Sequence, residues 1–174
     1  MSSRPSSLIT FTGHMHSLLA FGSSAISALS IVLLSTELPS RVASHFNAAG
    51  VPDSFMPRNA FVALMLIFAS VLPLGIWWLQ VTMARNAKVK IPNPEVWFSD
   101  LHRGETLRWL YRHAAIGSAG LSAFLTFVFW LTVVAHRQTP VALPQYAFWT
   151  ALSIFLAATF LWVYWQHRRF RRVG

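Results

Sequence analysis

Between the first two long apolar runs of the chain, Glu37, His45, Asn47 and Asp53 are the side chains whose types and spacing could do chemistry. A neutral imidazole carries one donor and one acceptor, so His45 can bridge two groups of a loop. Near the ordinary imidazole pKa of about 6.5, protonation removes that acceptor, and an activity resting on it would weaken in acid. Asn47 and Asp53 are turn-forming types, and Gly50 between them permits a backbone turn that other residues strain. Two readings follow, and they are compatible. In one, His45 and Asn47 form a recognition lip for a partner; in the other, Asn47 and Asp53 hold the loop against the helix ends. Phe46, Phe55 and Met56 could anchor the loop at a membrane surface. Glu37, His45 and Asp53 are zinc ligands by type. However, this side of the chain lacks a close His pair, His136 belongs to another loop, and His14 and His16 fall on the opposite side. No metal and no cofactor is therefore expected. Nor does the sequence hold a nucleophile elbow or paired carboxylates flanking a cleft, so it does not read as an enzyme.

Helices that cross a bilayer must position these groups. The chain has 174 residues, 55% hydrophobic and 11% charged, where a soluble domain carries about a quarter charged residues. Stretches 17–36, 60–83, 114–135 and 146–166 contain no Lys, Arg, Asp, Glu or His. Each approaches or exceeds the roughly 20 residues a helix needs to cross about 30 Å of hydrocarbon. Strands of a membrane barrel would alternate apolar and polar residues, and runs such as residues 61–68 do not. The first run is too long for a cleaved leader, whose apolar core spans about 7–15 residues. The expected fold is all-α: an integral membrane four-helix bundle in one domain, residues 17–166. A flexible polar segment 1–16 precedes it and a basic tail 167–174 follows.

The net charge of +9 does not indicate nucleic acid, because of where the cations fall. Lys and Arg in short loops stay on the cytoplasmic side. With both termini inside, eleven of the 14 cations are cytoplasmic: Arg4, six in the loop from Arg85 to Arg112, and four in the tail. Only Arg41, Arg58 and Arg137 lie outside, beside the His45 loop. The expected partner is thus the lipid bilayer, with the tail touching anionic lipid at about 1 kcal/mol per cation. The absence of Cys excludes disulfides and thiolate metal sites.

Small residues spaced by four mark two spans: Ala20, Ser24 and Ala28 in the first, Ala114, Ser118 and Ser122 in the third. Close backbone approach through small residues drives association in lipid, so these spans should meet each other or a second copy, which leaves a homo-oligomer open. Pro73, inside the second span, removes a backbone donor and should kink it. Trp77, Trp78, Trp130, Trp149, Trp162 and Trp165 fit interfacial belts. In the cytoplasmic loop, Asn93–Pro94 is a helix-start signal. Trp97, Leu101, Leu107 and Tyr111 then recur at helical steps, which predicts an amphipathic helix leading into the third span. Asp100–Arg103 and Glu105–Arg108 are spaced to pair on its wet face. Such a helix could lie at the headgroups or dock a cytoplasmic regulator.

Leu38, Pro39, His45, Phe46, Asn47, Gly50 and Asp53 together carry a resemblance. Their spacing resembles the pattern Leu-Pro…His-Phe/Trp-Asn-x-x-Gly-x-x-Asp, with Ala43 where the pattern has a second proline. That pattern marks the domain of unknown function at the N-terminus of SdpI-type bacterial immunity proteins. The resemblance covers the first two spans and their loop; residues 91–113 are more loosely similar. It implies a multi-pass protein of the bacterial plasma membrane that protects against a membrane-active toxic peptide without enzymatic chemistry, and that signals through a cytoplasmic regulator. SdpI-type proteins are longer, with further spans. The rival expectation is a small interaction or assembly subunit that binds another membrane protein; an enzyme or a transporter of a small apolar solute ranks below both. Transport coupled to ions would call for an ionisable group within a span.

Overall fold

A computed structural model describes the backbone of residues 7–171 and the side chains from residue 15 onward. Four helical stretches are long and apolar enough to cross a membrane: Met15–Ser35, Arg58–Arg85, Arg103–His136 and Gln145–Arg171. The architecture is the expected multi-pass helical bundle. The first helix, α1 (Ser7–Ser35), begins within the segment expected to be flexible. Residues 1–6 and the last residues of the expected tail, 172–174, lie outside the described residues.

The expected loop between the first two spans is in fact a hairpin. Strands β1 (Arg41–Phe46) and β2 (Pro52–Pro57) pair antiparallel, with Val42 opposite Met56 and His45 opposite Ser54. The register slips between Ala43 and His45 and again between His45 and Phe46. Such bulges bend a strand and re-aim its side chains, and here they flank the histidine. Alternation was too short and too interrupted to read as strand from sequence.

The second span runs as α2 (Arg58–Leu66), a π-helical segment (Ile67–Val71) and α3 (Leu72–Arg85). Pro73 explains the interruption. It has no N–H to give Ala69, four residues earlier, so that carbonyl must find another donor. The donor is the Ser122 hydroxyl of α5 (Arg103–His136). Two neighbouring carbonyls are served likewise: Ser24 of α1 donates to Ser70 O at 2.5 Å, and Ser118 donates to Pro73 O at 2.9 Å. Ser27 and Ser122 hydroxyls meet at 2.8 Å, and Thr126 donates to Ser27 at 2.7 Å. These groups sit near the middle of their spans, where an unpaired backbone group costs several kcal/mol. The small-residue stripes do bring the first and third spans together; their hydroxyls also serve the carbonyls around Pro73.

The cytoplasmic-loop helix of the sequence reading is broken. Pro94–Trp97 forms a single turn, α4, and residues 98–102 turn before α5 starts at Arg103. Asn93 is left-handed (φ 50°) and makes no side-chain cap. Its amide and the Trp97 indole instead donate to Phe170 O, at 3.2 and 2.9 Å, near the end of α6 (Gln145–Arg171). Carbonyls in a helix's last turn lack intrahelical partners, so the loop caps α6. Leu101 lies in the break and is 84% exposed, whereas Leu107 and Tyr111 pack around the buried Phe170 cluster. The expected wet-face pairs do not form; Glu105 pairs with Arg169 and Arg103 donates to Arg85 O.

Candidate functional site

The hairpin is fastened to all the helix ends around it. Arg58 donates its backbone N–H to Ser40 O at 3.0 Å and its guanidinium to Leu38 O at 3.1 Å, fixing the root. Val42 and Leu38 are buried with Ile31, Phe61, Phe129 and Val133, and the Phe61 and Phe129 rings stack at 5.9 Å. His136, at the end of α5, receives the Ala43 N–H on Nε2 at 3.1 Å and donates from Nδ1 to Thr132 O at 2.8 Å. Beside it, Arg137 holds Glu37 through Nε at 2.9 Å. Glu37 is thereby drawn away from His45 and Asp53, and the three zinc-type residues do not assemble. Among the described residues no group of three His, Cys, Asp or Glu side chains could hold a metal ion.

At the tip, Asn47 is the residue that makes the turn. Its N–H bonds Val51 O at 2.9 Å, its Oδ1 accepts from Ala49 N–H at 2.9 Å and Val51 N–H at 3.1 Å, and its carbonyl accepts from Gly50 N–H at 2.8 Å. Gly50 then takes φ +72°, a region costly for residues with a Cβ. It is also hemmed in: a Cβ here would lie 2.8 Å from Gln145 Cγ and 3.0 Å from Leu143 O. Leu143 N–H donates to Gly50 O at 2.9 Å, and the Gln145 side chain donates to Ala48 O. The tip is docked on the segment that leads into α6.

His45 stands apart from this scaffolding. Its Nδ1 meets Asp53 Oδ1 at 2.5 Å across the bulged register, while the side chain remains 68% exposed. The carboxylate therefore orients the ring, and Nε2 makes no hydrogen bond among the described residues. Pro39 is exposed beside the buried Leu38.

A cleft of about 520 Å³ opens beside His45 and runs under the tip. Ser44, His45, Asn47 and Gln145 give it a polar lip, while Phe46, Phe61, Met65, Phe148 and Trp149 supply apolar walls. The arrangement suits a partner with an apolar side chain to bury and polar backbone to satisfy. Of the residues singled out in sequence, His45, Phe46 and Asn47 line this cleft; Gly50 and Asp53 shape it from behind. Sequence reasoning missed Arg58, His136, Gln145, Phe148 and Trp149. Arg58 had a local signal, a cation at the mouth of a span; the others come from residues about ninety or more positions away. No curated protein and no solved structure matches the chain. Residues 24–70 match the family described as "Domain of unknown function (DUF1648)", a segment that takes in the later part of α1, the hairpin, α2 and the start of the π segment.

Proposed function

We propose that this is a non-enzymatic immunity-type protein of the bacterial plasma membrane, with both termini cytoplasmic and the His45 hairpin facing outward. There the hairpin cleft captures a membrane-active peptide. The observation that carries this reading is the cleft itself. An exposed, carboxylate-oriented imidazole borders an apolar trough at the end of the spans, where a peptide leaving the membrane surface would present both apolar side chains and unpaired backbone. No step of covalent chemistry is required. The distribution of Lys and Arg supports the orientation.

The test is a challenge of cells carrying the protein with membrane-active peptides, at matched protein levels. His45→Ala and Trp149→Ala should each abolish protection while membrane insertion stays intact. Asn47→Ala should also fail, but through the turn, since two N–H groups lose their acceptor. Asn47→Asp keeps that acceptor and should keep the hairpin. Full protection by His45→Ala and Trp149→Ala would show that the cleft is not the binding site.

An assembly subunit remains the second reading, and one observation favours it: α6 buries only Phe170, with Phe160, Leu161 and Trp165 among its exposed residues. Cross-linking from position 160 to another membrane protein, with no protection in the peptide challenge, would favour it.

A further inference from the structure

At the opposite end of the bundle α5 and α6 part again, around a cavity of about 1140 Å³. Its chemistry differs from that of the hairpin cleft. Arg112 and Arg169 stand at the rim, and Trp109 and Trp162 form the walls. Trp109 stacks on His113 at 3.5 Å between ring centres, and the Arg169 guanidinium lies 5.4 Å from the Trp109 ring. The site is rich in donors and short of acceptors. Trp162 Nε1 and Arg169 Nε are both buried and have no hydrogen-bond partner among the described residues. Arg112 is exposed and makes no ion pair among the described residues, and the one carboxylate, Glu105, is already held by Arg169 at 2.6 Å. Two guanidinium groups sharing a single carboxylate leave net positive charge at the rim, which calls for an anionic partner.

The cavity's shape says what the anion is attached to. Ile116 lies one turn deeper into the span than Arg112, and Leu161 lies about 12 Å deeper than Arg169 at 1.5 Å per residue. Both are exposed apolar side chains lining the same cavity. Cations at the rim and an apolar trough leading toward mid-span match an amphiphile lying along the helices. Basic pockets between spans are known to take anionic headgroups. We infer that this cavity is a binding site for one anionic phospholipid of the adjoining leaflet. Its phosphate meets the Arg112 and Arg169 guanidinium groups, and its chains lie along Ile116, Leu161 and the Trp162 ring. The bound lipid would fill the gap between α5 and α6 and hold α6 in place.

Native mass spectrometry of the full chain in neutral detergent tests this with two lipid probes, phosphatidylglycerol and phosphatidylcholine. The wild type should retain one phosphatidylglycerol in preference to phosphatidylcholine. Arg112→Gln should lower that occupancy at least about fivefold, the effect of losing one cation near the headgroup. Arg108→Gln removes the same charge from an exposed position of the same helix outside the cavity and should leave occupancy unchanged. Equal losses in the two variants would reduce the effect to general charge and overturn the site, as would equal retention of the two lipids. Displacement of phosphatidylglycerol by millimolar inorganic phosphate would overturn it too, because the trough would then contribute nothing. Failure here leaves the hairpin reading untouched, since no residue is shared.

Discussion

Helix α5 has two very different neighbours. Toward α1 and the kinked second span it presents Ala115, Ser118 and Ser122, all buried, and its hydroxyls complete the backbone of the facing helix. Toward α6 it meets rings: Phe124 stacks on Phe155 at 4.4 Å, and the Trp162 ring lies over Gly117. Small residues let helices close along their length, whereas bulky rings touch at points and hold the helices apart between them. The hairpin cleft and the Trp109 cavity border this second seam, one toward each end of it, while a shallower groove of about 560 Å³ lies outside the hydroxyl contacts on the α1–α5 side. The contrast is between a seam closed by small residues and interhelical hydroxyl bonds and one held by ring contacts.

The sharpest way to break this comparison is to put the same bulky residue on each side. Ser122→Leu overfills the tight interface and strands the Ala69 carbonyl, each at about 1–3 kcal/mol, so a loss of about 3 kcal/mol or more is expected in unfolding measured in detergent or bicelles. Ser153→Leu on the exposed face of α6 should change stability by less than about 0.5 kcal/mol. Similar effects at the two positions would mean that the seams do not differ.

Next in size is Gly50→Ala. The left-handed backbone and the 2.8 Å approach to Gln145 should together cost about 2 kcal/mol. Because the strain falls on the docking of the hairpin tip, amide exchange at Gly50 and Leu143 should accelerate more than exchange in the mid-span helices. Uniform acceleration would show that the hairpin and the spans unfold as one unit.

Gly117→Ala should have the smallest effect. The new methyl would meet Trp162 Cη2 at 2.8 Å, but the tip of an indole on a loosely packed helix can swing aside, so the cost should stay below about 1 kcal/mol. The visible change should be in indole fluorescence and in labelling of the α6 end rather than in overall stability. A large destabilisation would identify the α5–α6 seam as tightly packed after all.

Much of this fold was legible in advance. Uncharged runs of membrane length gave the spans, Pro73 marked the interruption of the second, and four-residue spacing of small side chains pointed to the first and third spans meeting each other or a second copy. The hairpin motif was also visible, as was the suitability of Asn47 and Gly50 for a turn. Three things were not. The strands were hidden because two bulges break the alternation on which a strand is recognised. The loop helix was overextended because Trp97, Leu101, Leu107 and Tyr111 keep helical spacing across a break that only the capping of Phe170 O requires. And Glu37 was grouped with His45 and Asp53 by residue type because sequence proximity concealed its partner, Arg137.

Hydropathy, charge distribution and residue spacing are properties of short windows, and they determine how many times the chain crosses a membrane and which stretches lie between crossings. They do not carry the rotation and height of one helix against another. Only those decide that Ser122 reaches the carbonyl Pro73 cannot serve, that His136 meets Ala43, and that Gln145 closes over Ala48. Each of these bonds is a few ångströms long and joins residues some fifty to a hundred positions apart. A single turn of helix rotation or one residue of slippage would abolish it without altering any local pattern. The tertiary structure alone therefore settled which side chains build the scaffold and which, like His45, stay largely exposed beside it.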